Sequence, residues 1–176
     1  MPPPKIAQGL WTDALAPAFA QAPAASGFTL ATFDGNIQLY AANNSGDKTF
    51  VVIQFPHSVS RESQTLDLHV HWTFPTNPTA GKEFTWAFEY VRADIGGTFS
   101  GTTITATAYT AVGNEAKKHL ITQIGTIGPA VVGISQCLVG CLSVAYTATP
   151  GAQPMLISCD SHFQQGPLGS TLATSD

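Results

Sequence analysis

Charge is what this sequence has least of. Of its 176 residues 11 are acidic and 7 basic, 10% together, where a soluble domain ordinarily carries about a quarter. The formal net charge is −4, and the densest basic spot is Lys117-Lys118-His119. Nucleic-acid binding needs a basic patch that neutralises phosphates, so no direct DNA or RNA partner is expected. Long apolar runs are also missing: none approaches the roughly 20 residues that span a bilayer. Met1-Pro2-Pro3-Pro4-Lys5 leads into no apolar stretch, so neither a secretory signal nor a membrane partner is expected. Cysteine is sparse and odd in number, with Cys137, Cys141 and Cys159, so at least one thiol is unpaired within the chain. Four residues along a strand separate Cys137 from Cys141 by about 13 Å, too far for a disulfide. All three are expected to be small buried hydrophobes of a protein folded in a reducing cytoplasm.

The signatures of catalysis are likewise missing. There is no Gly-x-Ser-x-Gly elbow and no cysteine in a catalytic context. Gly96-Gly97 lacks the Lys-Ser/Thr and the helix of a phosphate-cradling loop. Glu83 and Glu89 lie about 20 Å apart on an extended strand, so they are no glycosidase pair. A protein without enzymatic activity and without a cofactor is expected.

What remains is hydrophobic and strongly patterned. At 44% hydrophobic the chain is too apolar for disorder, and its length suits one domain burying roughly 70% of its unfolded surface. An exterior so poor in charge is best solvated by neighbours, which predicts an assembly component. From Phe28 onward the period is 2. Leu66, Leu68, Val70 and Trp72 alternate with Asp67, His69, His71 and Thr73; Phe84, Trp86, Phe88 and Tyr90 alternate with Glu83, Thr85, Ala87 and Glu89. Such alternation marks half-buried antiparallel strands. Pro75 to Gly81 between the two segments predicts a hairpin or neighbouring strands. Further strands are predicted at Phe28–Thr32, Asn36–Ala41, Phe50–Phe55, Thr102–Tyr109, Leu120–Ile127, Gln136–Tyr146 and Met155–Gln164, and Asn114–His119 leans helical. Nine short strands at this spacing predict an all-β, jelly-roll-like antiparallel β-sandwich over residues 28–176.

Residues 1–27 are Pro- and Ala-rich and predict an extended N-terminal arm, with room for a short helical turn within Leu10–Ala22. Leu10, Trp11, Leu15 and Phe19 are its apolar anchors, the residues expected to hold a neighbouring subunit. Two apart on one strand, His69 and His71 share a face with Asp67. On the last strand Leu156, Ser158, Asp160, His162 and Gln164 are expected to share another, so Asp160 and His162 can meet them across a sheet. A metal set of His69, His71 and His162 is conceivable; structural hydrogen bonds between neighbouring strands are the plainer expectation.

Several segments resemble a group of tailed-bacteriophage structural proteins. They are Pro56-His57-Ser58, Asp67-Leu68-His69-Val70-His71-Trp72, Glu89-Tyr90 through Gly96-Gly97-Thr98-Phe99, His119-Leu120-Ile121-Thr122 through Ile127, and Asp160-Ser161-His162-Phe163-Gln164 with Leu168-Gly169-Ser170. They run in the group's order over about two thirds of the chain, although charged residues between strands are fewer here. The resemblance implies a virion component assembled in the host cytoplasm: first a capsid decoration (cement) protein, expected as a homotrimer, bound to the major capsid protein or other virion proteins. A tail, neck or fibre component, with glycan binding in its reach, is the second reading. A cupin-like metal enzyme is the third.

Overall fold

A computed structural model describes the backbone of residues 11–17, 27–54, 66–127 and 136–164, and the side chains of these except 11–17, 163 and 164. The ten strands are β1 (Trp11–Pro17), β2 (Thr29–Asp34), β3 (Ile37–Ala41), β4 (Lys48–Gln54), β5 (Leu66–Thr73), β6 (Glu83–Ala93), β7 (Ser100–Thr110), β8 (Leu120–Ile127), β9 (Cys137–Tyr146) and β10 (Met155–Gln164). One sheet runs β2-β3-β10-β5-β8, with β1 also on β10; the other runs β4-β9-β6-β7. All strand pairings are antiparallel. Taking the last eight strands in chain order, the two sheets interleave as in a jelly roll, so the predicted sandwich is the observed one.

The alternating segments behave as their pattern demands, but β5 and β6 do not pair. They lie in different sheets and face each other across the core. Trp72 of β5 meets Phe84 and Trp86 of β6 with ring centroids 5.3 and 6.0 Å apart. Each strand carries one fully apolar face, and stacking those faces buries both, which a flat hairpin would not. The stretch Pro75–Gly81 therefore crosses between sheets. Around it Phe28, Phe74, Phe88, Leu138, Leu142 and Val144 complete the core.

Two further expectations change. Asn114–His119 forms no helix: Lys117 adopts φ 58°, and Glu115 turns back to accept the amide protons of Val112, Gly113 and Asn114 at 2.6, 2.7 and 2.8 Å. An acidic side chain that gathers backbone donors this way fixes a turn, not a helix interior. Residues 11–17, expected within an extended arm with room for a short helical turn, are strand β1 on β10, with Trp11 opposite Gln164 and Leu15 opposite Asp160. Leu10 and Phe19, the other two anchors, lie outside the described residues.

Of the three thiols only Cys159 is buried in the core; Cys137 and Cys141 are half-exposed, and all three are free. Burial pushes the Cys141 and Cys159 thiols up, so the protonated form dominates and neither is an activated nucleophile.

Candidate functional site

The histidines gather where β5, β10 and β8 run side by side. In β5 the core takes Leu66, Leu68, Val70 and Trp72, so alternation turns His69 and His71 to the opposite face of the sheet. On β10, Cys159 enters the core opposite Val70, and Asp160 is placed opposite His69 on that same outer face. The register shifts between Leu156 and Ser158. That bulge sends Leu156 into the core and leaves Ile157 exposed, so Leu156 does not share the face of Asp160 as a regular strand would require.

Asp160 is the hub. It is only 3% exposed, and its carboxylate is flanked by three imidazoles. The Nε2–H of His71 donates to Oδ2 at 2.9 Å. Nε2 of His162 lies 3.3 Å from the same oxygen, and Nδ1 of His69 lies 3.6 Å from Oδ1. The last distance is too long for a hydrogen bond, and both Nδ1 of His69 and Oδ1 of Asp160 are buried without a hydrogen-bond partner. The rings of His69 and His162 pack with centroids 4.1 Å apart. Burial lowers the His69 pKa, with His162 adding to the effect and Asp160 and Asp67 opposing it; a neutral imidazole with a lone pair is the favoured form.

Four of the five histidines in the sequence thus converge. His69, His71 and His162 were predictable candidates, and the structure brings all three to Asp160. His119 was not among them. Its Nε2 lies 2.8 Å from Nδ1 of His71, so both nitrogens of His71 are engaged. The signal was present: in β8 Leu120, Thr122 and Ile124 turn inward while Ile121 and Gln123 are exposed, and extending that alternation one residue before Leu120 puts His119 on the histidine face. Beside it Asp67 accepts hydrogen bonds from Gln123 Nε2 at 3.0 Å and Thr126 Oγ1 at 2.9 Å. The neighbouring lysines take no part: Lys117 pairs with Asp34 at 2.9 Å and Lys118 with Asn114 at 3.1 Å. Trp11 and Leu15 belong to β1, which flanks the Asp160 half of β10.

Chemically, His69, Asp160 and His162 offer one ligand atom each within 4.8 Å of one another. The second surface of note is the outer face of the four-stranded sheet. Its cross-strand rows are Phe50-Cys141-Glu89-Ile104, Val52-Val139-Val91, Lys48-Ser143-Ala87-Ala106 and Ala145-Thr85-Ala108. Lys48 and Glu89 are the only charges in these four rows, while Phe50, Val52 and Ile104 are 44%, 46% and 66% exposed.

No family model and no curated protein matches the chain. Among solved structures it is similar to the xylan-binding module CBM15, at 13% sequence identity and a TM-score of 0.33, over 90% of this chain and 99% of that one.

Proposed function

We propose that this chain is a structural component of a tailed-bacteriophage virion: a capsid decoration protein that forms homotrimers and bridges neighbouring capsid subunits. The observation that carries the reading is the charge-poor outer face of the four-stranded sheet. Four strands and four rows at ordinary sheet spacings give it an area of roughly 400 Å². That is near the largest apolar patch a monomer leaves in water, and about half of one partner's share of a standard interface. At about 25 cal/mol per Å², covering it yields at most about 10 kcal/mol, comparable with the cost of association itself. One such face makes a weak bond, and repeated around a symmetric shell it makes a cement. The jelly roll is used by capsid domains among others, and the segments resembling phage structural proteins supply β5, β6, β8 and β10. A fold alone does not assign a role; the exposed face is what favours a partner over solvent.

The reading is tested by measuring the oligomer in solution and the number of copies per particle. A trimer whose copies scale with the capsid subunits is expected. Copies confined to the tail would replace cement with the tail, neck or fibre reading. A monodisperse monomer without affinity for any viral particle would overturn the proposal.

A further inference from the structure

We propose that His69, Asp160 and His162 bind a first-row transition-metal dication of the zinc class on the outer face of the six-stranded sheet. The inference does not depend on the virion reading. Three observations carry it. First, the donor set is two imidazoles and one carboxylate, which suits zinc, iron, cobalt or nickel and is poorly matched to magnesium or calcium, whose sites are built from oxygen. Second, one ligand atom from each of the three lies within 4.8 Å of the others, where ligands about 2.1 Å from a tetrahedral ion stand about 3.4 Å apart. The two imidazoles approach different oxygens of Asp160, His69 Nδ1 at 3.6 Å from Oδ1 and His162 Nε2 at 3.3 Å from Oδ2, so side-chain rotation has only to draw the set together. Third, the two atoms that face each other across the longer gap are buried and unpartnered. A buried carboxylate oxygen left without a donor is a costly arrangement, and one cation between it and Nδ1 of His69 satisfies both.

His71 stands outside the ligand set, contrary to the three-histidine set that the sequence suggests. Its Nε2–H is given to Asp160 and its Nδ1 faces His119, so it acts as a positioning residue. The relay from His119 through His71 fixes the carboxylate plane, as outer-shell partners do around metals. The ligands come from β5 and β10, adjacent strands, with His69 paired directly to Asp160. The ion would therefore pin two strands of the six-stranded sheet, and three protein ligands leave a coordination position for water.

The test uses the untagged full chain, stripped with a chelator and titrated with Zn²⁺ alone, then with Co²⁺ and with Mg²⁺ or Ca²⁺. One saturable Zn²⁺ site per chain is expected, with a rise in Tm, visible Co²⁺ d–d bands, and no response to Mg²⁺ or Ca²⁺. His69→Gln and His162→Gln should each weaken Zn²⁺ binding at least about a hundredfold. His119→Ala should weaken it about tenfold, as outer-shell changes do, and Glu89→Gln, on the outer face of the other sheet, should leave it unchanged. Absence of a saturable site in the wild-type chain, or a site that survives His69→Gln and His162→Gln together, overturns the proposal. Should a variant fail to fold, the wild-type Co²⁺ spectrum decides: tetrahedral d–d bands without a thiolate charge-transfer band are expected of two imidazoles and a carboxylate, and either the aqueous-ion spectrum alone or a thiolate band from the free cysteines overturns the proposal.

Discussion

Glu115 shows what a chain with few charges does with one of them. It is 2% exposed, yet its carboxylate accepts the amides of Val112, Gly113 and Asn114 and the hydroxyl of Tyr109 at 2.9 Å. Burial pushes the carboxyl up, but the four hydrogen bonds together outweigh it and hold the group below the ordinary carboxylate range. Burial and the same carboxylate push Tyr109 up to about 12. A lowered folded-state value means stability that is fully present above the unfolded carboxyl's range and is lost as pH falls through the folded value. Glu115→Gln keeps the shape but loses the charge, and charge-assisted bonds contribute about 1.5–3 kcal/mol each. The variant should be about 2 kcal/mol less stable at pH 7 by urea unfolding, with the gap to wild type narrowing below pH 4. An equal gap at pH 7 and pH 3 would refute the charge-based account. None of this was legible in the sequence, where a lone Glu beside Asn and two Lys looks helical; the deciding fact is a φ of 58° at Lys117.

At the scale of elements, the sequence shows strands well and their partners poorly. Period 2 located nine strands because most of them turn one face to the core, although β2 and β7 are only half-buried at best, and side-chain alternation depends only on local geometry. Pairing depends on which face stacks on which, so β5 and β6 looked like a hairpin although they are opposite walls of the sandwich. The bulge at Ile157 was invisible for the same reason: it alters the parity of Leu156 without altering composition. The histidine face was legible in β5 and β10 and overlooked in β8, where His119 precedes the strand by one residue. Gly140 marks a close approach that composition could not reveal. A Cβ there would lie 2.4 Å from Phe88 Cζ and 2.8 Å from the carbonyl oxygen of Glu89; the ring can yield, the paired backbone cannot. Gly140→Ala should therefore cost about 1–3 kcal/mol, the usual price of overpacking, and lower Tm by about 2–4 °C per kcal/mol. The Pro- and Ala-rich opening hid β1, because proline argues against a ladder strand except at its end, and Pro17 sits at that end. Removing residues 1–17 strips β1 from β10 beside Asp160 and should lower Tm by several degrees in a differential scanning measurement. An unchanged Tm would mean that β1 adds nothing to the sandwich.

For the whole molecule, the scarcity of charge becomes a statement about where water is unwelcome. Exposed Phe50, Val52 and Ile104 share the outer face of the four-stranded sheet with Val91, Val139 and several alanines; the charges among them are Lys48 and Glu89, with Glu83 in the next row, opposite Thr110. Such a face associates by burial of area and not by ion pairing, which separates two outcomes. Association through charges weakens as salt screens them; association through apolar area is insensitive to simple salt. Self-association measured by analytical ultracentrifugation should thus change little between about 0.05 and 0.5 M NaCl, ionic strengths whose screening lengths differ about threefold. Val52→Glu and Ile104→Lys replace exposed side chains, so each should leave unfolding within about 0.5 kcal/mol of wild type. Each should also weaken self-association or particle occupancy at least about tenfold, the consequence of stranding one desolvated charge at a cost of 1.4 kcal/mol or more. A control charge at Thr32, exposed on β2 of the other sheet, should alter neither. If Val52→Glu and Ile104→Lys assemble as wild type does, the charge-poor face is not where this chain meets its neighbours.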